Sequence, residues 1–273
     1  MVARRRLDAE LVRRKIARSR EHATELIRGR HVYVAGMLAI KPASVVEPDV
    51  SIKVVDVVDD DWASRGAHKL LGALAAFEPQ GLSLRGKKVL DAGASTGGFT
   101  DVCVRREARE VVSVDVGYGQ LVWRLQNDDR VRVVDRTNIR HLTLEHTGGT
   151  CDAMVGDLSF ISLKLVLPAI VSVLDDGADL LPMVKPQFEV GKDRLGKGGV
   201  VTSPQLREEV TFEVARYAVS LGLSLRGVVA SPLPGPSGNV EYFLWLVKDG
   251  GATQPSEEDM AAMVARAIQE GPQ

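Results

Sequence analysis

The stretch DAGASTGGFT, residues 91–100, decides the fold of this chain. It follows the apolar run KKVL, and its glycines at positions 93, 97 and 98 permit a tight turn and a close backbone approach to a ligand. A strand that ends in such a turn and leads into a helix is typical of open α/β sheets, whose ligands bind beyond the carboxyl ends of the strands. The stretch does not fit the G-x-G-x-x-G fingerprint of dinucleotide-binding proteins.

Apolar runs that end in a polar residue or a turn recur on both sides of this stretch. They are KKVLDAG, EVVSVDV, VRVVD, DAMVGDL and DLLPMVK, with helical patterns between them at about 97–106, 162–174 and 204–221. This alternation predicts a mostly parallel sheet with helices on both faces. Runs at about 224–231 and 241–248, joined by a Pro/Gly loop, predict an antiparallel pair of strands. The segment RGAHKLLGALAAF and the tail from Ser256 predict packing helices.

The N-terminal segment has a different pattern. RLDAELVRRKIA, residues 6–17, places Leu7, Leu11 and Ile16 on one helical stripe. Ser19 is a predicted N-cap for a second helix over about 20–29, with Gly29 as its stop. The alternation in HVYVAGMLAI predicts a hairpin with its turn at a glycine.

An acidic run and a tryptophan at 59–62 mark the predicted linker. We therefore expect a small α+β domain over residues 1–60, a linker over 61–64 and a larger α/β domain over 65–273. With 273 residues, 45% hydrophobic and 26% charged, the composition is that of an ordinary globular protein.

The charge is unevenly distributed. Residues 1–46 hold eleven lysines and arginines against four aspartates and glutamates, while the whole chain has a net charge of -1. A basic arm on an acidic body indicates a module that binds a polyanion, although a solvated helix face is the simpler alternative. No apolar run reaches the length of a membrane span or a signal peptide. Cys103 and Cys151 lack metal-ligand spacing, so we expect no disulfide, no metal site and a cytoplasmic location.

The first 55 residues resemble a known RNA-binding family. RLDAELVRRKIARSREHATELIRGRHVYVAGMLAIKP is similar to an S4-type RNA-binding domain, which presents basic residues to structured RNA. The resemblance implies that phosphate contacts lie among Arg4, Arg5, Arg6, Arg13, Arg14, Lys15, Arg18, Arg20 and Lys41. Such contacts position RNA and give salt-dependent affinity without reading its sequence. S4 modules also occur on pseudouridine synthases and a tRNA synthetase, so they indicate RNA and not a reaction.

The glycine-rich stretch resembles motif I of class I, Rossmann-like methyltransferases, which implies S-adenosylmethionine as the cofactor. Asp115, in SVDVGYGQL, matches the acid that binds the cofactor ribose in such enzymes, and a carboxylate can accept both hydroxyl hydrogen bonds. Asn138 and Asp157, after the next two strands, are expected at the adenine and methionine ends of the pocket. The implied cofactor-binding set is Asp91, Gly93, Ser95, Gly97, Gly98, Phe99, Asp115, Asn138 and Asp157. Any one of these taken alone is equally explained as a loop or cap residue.

Four charged residues are candidates for the reaction. Methyl transfer from a sulfonium needs no acid, but the nucleophile must be aligned and lose its proton. Lys69, Asp157, Lys185 and Glu241 resemble the K-D-K-E tetrad of 2'-O-methyltransferases related to FtsJ. Two lysines in one site repel each other, which favours a neutral amine on one of them. We expect Lys185 to take the proton, Asp157 and Glu241 to orient it, and Lys69 to position the hydroxyl. Without the resemblance, Lys69 is equally explained as a surface lysine.

Two absences narrow the reaction further. The segment Asp157-Leu158-Ser159-Phe160 lacks the prolines of the D/N-P-P-Y/F segment in base N-methyltransferases. No cysteine occupies a catalytic position, which argues against C5-methylation through a covalent adduct.

The whole chain resembles the TlyA family, through the S4 module, DAGASTGGFT, VDVGYGQL, DLSFISL, VKPQFEVG and PLPGPSGNVEYFLW. The resemblance implies methylation of cytidine 2'-hydroxyls in 16S and 23S ribosomal RNA of both subunits, and a link to capreomycin and viomycin susceptibility. The alternatives are a base methyltransferase, a 2'-O-enzyme for transfer RNA, an RNA-binding protein with an inactive methyltransferase fold, and a membrane-lytic protein, since relatives carry the name haemolysin.

Overall fold

The computed structural model of the protein describes residues 5–17, 19–29, 31–54, 62–235 and 237–272. The chain divides into two compact units, Met1–Asp61 and Trp62–Gln273. The predicted linker falls partly on residues 55–61, which lie outside the described residues, so its exact bounds stay a prediction.

The N-terminal unit combines two short helices with short strands. Its elements are β1 (Arg5–Arg6), α1 (Leu7–Arg13), α2 (Arg20–Arg28), β2 (Val32–Val34), β3 (Met37–Leu38), β4 (Val45–Val46) and β5 (Ile52–Val54). Strand β1 pairs with β4, and β2 lies between β3 and β5, all antiparallel. The apolar stripes of the two helices meet in a small core that contains Leu7, Leu11, Ala23, Ile27 and Val32.

The predicted caps and turn of this unit are confirmed, but the first helix is shorter than expected. Ser19 accepts a hydrogen bond from the backbone N of His22 at 3.1 Å, as an N-cap does. The helix predicted over residues 6–17 ends at Arg13. Lys15 turns to a φ of +59°, and the backbone N–H groups of Ile16 and Ala17 both donate to Leu11 O, which closes the helix early.

The larger unit is an α/β domain. Its strands are β6 (Lys88–Ala92), β7 (Glu110–Val114), β8 (Val131–Val134), β9 (Cys151–Gly156), β10 (Leu174–Val184), β11 (Leu223–Ala230) and β12 (Tyr242–Lys248). Its α-helices are α3 (Gly66–Phe77), α4 (Gly98–Arg105), α5 (Trp123–Gln126), α6 (Leu144–Thr147), α7 (Leu167–Ser172), α8 (Pro186–Glu189), α9 (Pro204–Ser220) and α10 (Glu257–Glu270). Short 3-10 turns lie at Glu78–Gln80, Ile139–His141, Leu163–Leu165, Lys192–Arg194 and Lys197–Gly199.

The strands described in this unit form one seven-stranded sheet in the order β11-β12-β10-β9-β6-β7-β8. The five strands β6 to β10 run parallel, whereas β12 is antiparallel to both of its neighbours. The prediction of a mostly parallel sheet with a final antiparallel pair is therefore confirmed. The sequence pattern did not reveal that the last strand inserts between β10 and β11.

Helices cover both faces of the sheet, as the sequence predicted. Successive residues of β6 belong to different cores, since Val89 packs with α3 and α4 and Leu90 packs with α7, α9 and α10. The helix expected over 162–174 is wrong in its extent, because a 3-10 turn precedes α7 and Leu174 already belongs to β10. Pro168 lies in the first turn of α7, where its missing N–H costs nothing, so a new helix begins there.

Candidate active site

A glycine-rich loop connects β6 to α4 at the carboxyl edge of the sheet. Gly93 and Gly97 have φ values of +88° and +101°, which favour glycine. A Cβ on Gly93 would lie 2.9 Å from the carbonyl oxygen of Asp157, so the loop packs directly against the end of β9. A Cβ on Gly98 would lie 2.3 Å from Ser64 Oγ. This backbone forms a cradle that side chains would fill.

Asp91 lies beneath the loop, fully buried. Its Oδ2 accepts a hydrogen bond from Thr100 Oγ1 at 2.6 Å, while its Oδ1 has no hydrogen-bond partner among the described residues. Burial raises the pKa of Asp91 to about 7, and the charges of Asp157 and Asp115 add to that rise. An unsatisfied carboxylate oxygen beneath a glycine cradle fits a site that a polar ligand completes.

Asp115 follows β7 and lies across the loop from Asp91. Its Oδ2 accepts from the backbone N–H of Ser95 at 2.8 Å, and its Oδ1 accepts from that of Gly117 at 2.7 Å. Ser95 has a φ of +48°, so the carboxylate holds a strained turn in place. Each oxygen retains a lone pair that could accept a ribose hydroxyl.

Two residues of the predicted cofactor set have other positions. The ring of Phe99 is buried in the core, stacked on Phe243 at 6.0 Å, so only its backbone is available to a ligand. Asn138 lies four residues beyond the end of β8, is exposed, and accepts from Arg140 N at 3.0 Å as the cap of a 3-10 turn. The residue that follows β8 directly is Asp135, whose Oδ2 accepts from Gly119 N at 2.9 Å.

The four predicted reaction residues come together at the same sheet edge. Lys69 arrives from α3, Asp157 follows β9, Lys185 follows β10 and Glu241 precedes β12. Lys69 Nζ lies 2.6 Å from Glu241 Oε2 and 3.7 Å from Asp157 Oδ2. A Cβ on Gly235 would lie 2.6 Å from Glu241 Oε1, so a glycine is required beside this carboxylate.

Lys185 forms the other half of this group. Its Nζ lies 2.5 Å from Asp157 Oδ1 and donates to Ser159 Oγ at 2.7 Å. The side chains of Lys69 and Lys185 are only 10% and 7% exposed, so both ammonium groups depend on their carboxylate partners for charge compensation. Sequence reasoning did not find Ser159, although it follows Asp157 by two residues in the segment already singled out.

A cavity of about 840 Å³ opens beside Lys185 and Glu241. One wall carries Phe160, which is 91% exposed, has a φ of +63° and packs on Phe188 with a ring separation of 5.2 Å. An exposed aromatic ring held on a strained backbone beside buried charges is typical of a functional surface.

Two polar side chains, the half-buried Glu189 and the buried Asn239, hold the loops that line this cavity. Glu189 accepts from Ser162 Oγ at 2.6 Å and from Leu163 N at 2.7 Å, which ties α8 to the loop of Phe160. Asn239 accepts from Val201 N at 2.9 Å and donates to Gly199 O at 2.9 Å, which fixes the glycine-rich segment over residues 191–200. That segment therefore has a structural place in the cavity wall.

The basic residues predicted to contact RNA occupy the N-terminal unit, except that Arg4 and Arg18 lie outside the described residues. Exposed members of the set are Arg5, Arg6, Arg13, Lys15, Arg20 and Lys41. Arg14 is less exposed and donates to the backbone oxygens of Pro48 and Val50 as well as to Glu10. Arg14 thus also contributes to the fold of the unit.

Comparisons with known proteins agree with this geometry. A family model described as FtsJ-like methyltransferase matches residues 62–248, and one described as S4 domain matches residues 5–52. The chain is 55% identical to the 16S/23S rRNA (cytidine-2'-O)-methyltransferase TlyA of Mycobacterium tuberculosis over 274 residues, which cover 100% of both chains. This chain belongs to the TlyA family of FtsJ-like methyltransferases.

Two further relatives show how the names within the family differ. The 23S rRNA (cytidine-2'-O)-methyltransferase TlyA of Campylobacter jejuni is 30% identical, over 71% of this chain and 74% of the relative. A solved structure of a hemolysin-named protein from Streptococcus thermophilus is 35% identical, with a TM-score of 0.76, over 99% of this chain and 98% of the other. Among the described residues of this TlyA-family chain, no helix has the length and apolarity needed to cross a bilayer.

Proposed function

We propose that the protein transfers a methyl group from S-adenosylmethionine to the ribose 2'-hydroxyl of cytidine in 16S and 23S ribosomal RNA. The observation that carries this proposal is the buried group formed by Lys69, Glu241, Asp157 and Lys185 at the rim of an open cavity. A hydroxyl acceptor needs a group that takes its proton, and an amine on a buried lysine is suited to that task.

The glycine cradle is the proposed cofactor site. Gly93, Gly97 and Gly98 would allow close backbone approach, Asp115 would accept the ribose hydroxyls, and the unsatisfied oxygen of Asp91 would be compensated when the site is filled. S-adenosylmethionine supplies an activated methyl on a sulfonium, whose sulfur takes the electron pair of the breaking C–S bond. The carboxyl edge of β6 and β9 brings this cradle next to Asp157, so a methyl donor bound in the cradle would lie beside the charges of the tetrad.

Lys185 is the proposed proton acceptor. Its nitrogen lies 2.5 Å from Asp157 Oδ1 and donates a hydrogen bond to Ser159 Oγ, so these two neighbours would hold it in position to take the proton of the ribose hydroxyl. The ribose oxygen would attack the methyl carbon in line while its proton passed to the Lys185 nitrogen. Lys69, held by Glu241, would orient the hydroxyl.

The cavity beside Lys185 is the proposed place for the acceptor nucleoside. Its open mouth and the exposed ring of Phe160 suit a nucleotide that has left its base stack. Stacking of a base on an aromatic side chain contributes about 1–3 kcal/mol. The S4 unit would hold the surrounding ribosomal RNA by phosphate contacts.

The choice of both ribosomal subunits, and of cytidine, follows the 55% identical relative over the full chain length. The wider proposal, that this methylation affects susceptibility to capreomycin and viomycin and that the protein works in the cytoplasm, rests on the family resemblance alone.

Radiolabelled methyl transfer to isolated 30S and 50S subunits tests this function. Subunits from a strain without the gene should accept methyl groups from the protein and not from Lys185→Ala. Mass spectrometry of nuclease-digested RNA should then place the methyl on the ribose of cytidine. A methyl on a base, or on transfer RNA but neither subunit, would refute the proposal.

A further inference from the structure

The N-terminal unit buries a carboxylate between two of its surface arginines. Asp8, at the start of α1, is only 3% exposed. Arg6 approaches it with two donors, Nε at 3.1 Å and Nη2 at 2.8 Å, and Arg20 adds Nη2 at 3.0 Å. The backbone N–H of Ala9 donates to Oδ1 at 2.8 Å. Two arginines that are 14 positions apart in the chain therefore share one acceptor.

Glu10, two residues further along the helix, has a similar arrangement. It is fully buried, and it accepts from Arg13 at 2.6 and 2.8 Å and from Arg14 at 2.7 Å. The hydrogen bonds from Arg6 hold the pKa of Asp8 well below its usual range, and those from Arg13 do the same for the pKa of Glu10. Both acids are thus ionised, and each holds a pair of guanidinium groups.

The paired arginines remain open to solvent. The side chains of Arg6 and Arg20 are 51% and 60% exposed although their common partner is buried. A guanidinium has five N–H donors, and Arg6 uses two of them on Asp8 while Arg20 uses one. Within the part of the chain that the structure describes, the other donors of these two guanidinium groups are open to an external acceptor, and phosphate suits their planar fork.

Burial of the acid makes this arrangement persistent. Removing the arginines from Asp8 would leave an uncompensated charge in the core, which is strongly unfavourable. A phosphate can therefore bind these donors without first ordering two long side chains, a loss of side-chain freedom that would otherwise weaken binding.

We infer that Asp8 is a positioning residue for RNA binding, which fixes Arg6 and Arg20 in the orientation that contacts phosphate. This inference rests on the RNA-binding role proposed for the S4 unit. It leads to an unusual expectation, because loss of a negative charge ordinarily strengthens binding to a polyanion. Here, loss of the negative charge of Asp8 weakens binding to the structured substrate.

The test compares two substitutions that change the net charge equally. In the full-length protein, Asp8→Asn is set against Glu21→Gln, which alters an exposed acid on α2. Affinity for 50S subunits from a strain without the gene is measured at several salt concentrations, with poly(U) as an unstructured probe. Asp8→Asn should bind 50S subunits at least about fivefold more weakly than the parent does, and it should bind poly(U) at least as tightly as the parent does. The affinity of Glu21→Gln for both probes should equal that of the parent or be slightly higher.

A second substitution guards against a loss of folding. The amide of Asp8→Asn can still accept from Ala9 N, and hydrogen exchange of α1 and α2 reports whether the unit stays folded. Should Asp8→Asn unfold this unit, Asp8→Glu keeps the charge and displaces the carboxylate by one methylene. The inference then requires weaker binding to 50S subunits with no change in net charge.

The outcomes separate this inference from the function on which it rests. If folded Asp8→Asn, or Asp8→Glu in its place, binds 50S subunits as tightly as the parent while a double substitution of Arg6 and Arg20 by alanine weakens binding, the positioning role is wrong and the RNA-binding role stands. If the double substitution has no effect, this surface does not bind ribosomal RNA and both proposals for it are overturned.

Discussion

The two units of the molecule use the same pairing of buried carboxylates with cations, but they differ in where the cations lie. In the S4 unit the arginines on Asp8 stay half exposed, whereas in the methyltransferase unit Lys69 and Lys185 are themselves buried, beside Glu241 and Asp157. An exposed cation can meet a polyanion from solvent. A buried one can only act on a group that enters the site, and there its charge is poorly screened. The same pair thus suits recognition in one unit and reaction in the other.

The largest effect is expected where a buried cation is removed. Lys185→Ala takes away the proposed proton acceptor and leaves Asp157 without its 2.5 Å partner, so methyl transfer should fall by about 10²–10⁴-fold. Calorimetry should give a nearly unchanged affinity for S-adenosylmethionine. Lys164→Ala is a matched control, because this lysine pairs with Glu213 outside the tetrad and should retain activity. Lost cofactor affinity in Lys185→Ala would disprove the role given to this lysine.

Removal of exposed cations should act on binding and not on turnover. Replacing Arg6 and Arg20 together by alanine should weaken affinity for ribosomal subunits by about tenfold to a hundredfold. It should also flatten the slope of log affinity against log salt by roughly 1.5. At saturating subunit concentration the rate of methyl transfer should equal that of the parent. A large fall in the rate at saturation would show that these exposed arginines also affect the reaction, which would contradict the separate roles given to the two units.

Ser159 sharpens the comparison within the reaction site, because it holds Lys185 without carrying charge. Ser159→Ala removes one hydrogen bond to the lysine and should lower the rate constant at saturation about tenfold. Ser159→Thr, which keeps the hydroxyl, should recover most of the activity. Equal losses in the alanine and threonine variants would show that the hydroxyl is not what the site requires from Ser159.

Asp91 is a third case, a buried carboxylate whose hydrogen bond comes from a neutral hydroxyl. The pKa of Asp91 is raised to about 7 in the folded protein. Between about pH 4 and 7 the folded protein therefore keeps a proton on Asp91 that the unfolded chain has already released. Stability should therefore fall as the pH rises between about 4 and 7, and then level off. The unfolding free energy of Asp91→Asn minus that of the parent should rise by at least about 1 kcal/mol when the pH is raised from 4.5 to 7.5. If urea unfolding gives the same difference in unfolding free energy between Asp91→Asn and the parent at both pH values, this assignment is wrong.

Sequence patterns predicted the architecture well because each strand was an apolar run closed by a turn. The glycines of residues 91–100 have the backbone conformation that the pattern required, and the cap at Ser19 formed as expected. The four residues proposed for the reaction were selected through motifs, and the structure brings them together at one edge of the sheet. These signals are local, and local chemistry is what a single sequence displays.

Features that depend on tertiary contact were missed. Asn138 looked like a strand-end residue, but the chain turns at Asp135 and uses the asparagine as a cap. Phe99 stands in the motif, yet its ring belongs to the core through Phe243 in a strand 144 positions later. Ser159 could have been noted only as a hydroxyl two residues from a proposed reaction residue, and the early end of α1 arises from a left-handed turn at Lys15 that no pattern required.

The place of β12 between β10 and β11 ties catalysis to the order in which the chain is made. A ribosome releases Lys69, Asp157 and Lys185 first, while the edge of β10 is still unpaired and Lys69 still lacks its partner. Only when Tyr242–Lys248 joins the sheet does Glu241 reach Lys69 at 2.6 Å. Closing the sheet and completing the site are one event. The group of four charges therefore stays incomplete in a growing chain until Tyr242–Lys248 has joined the sheet.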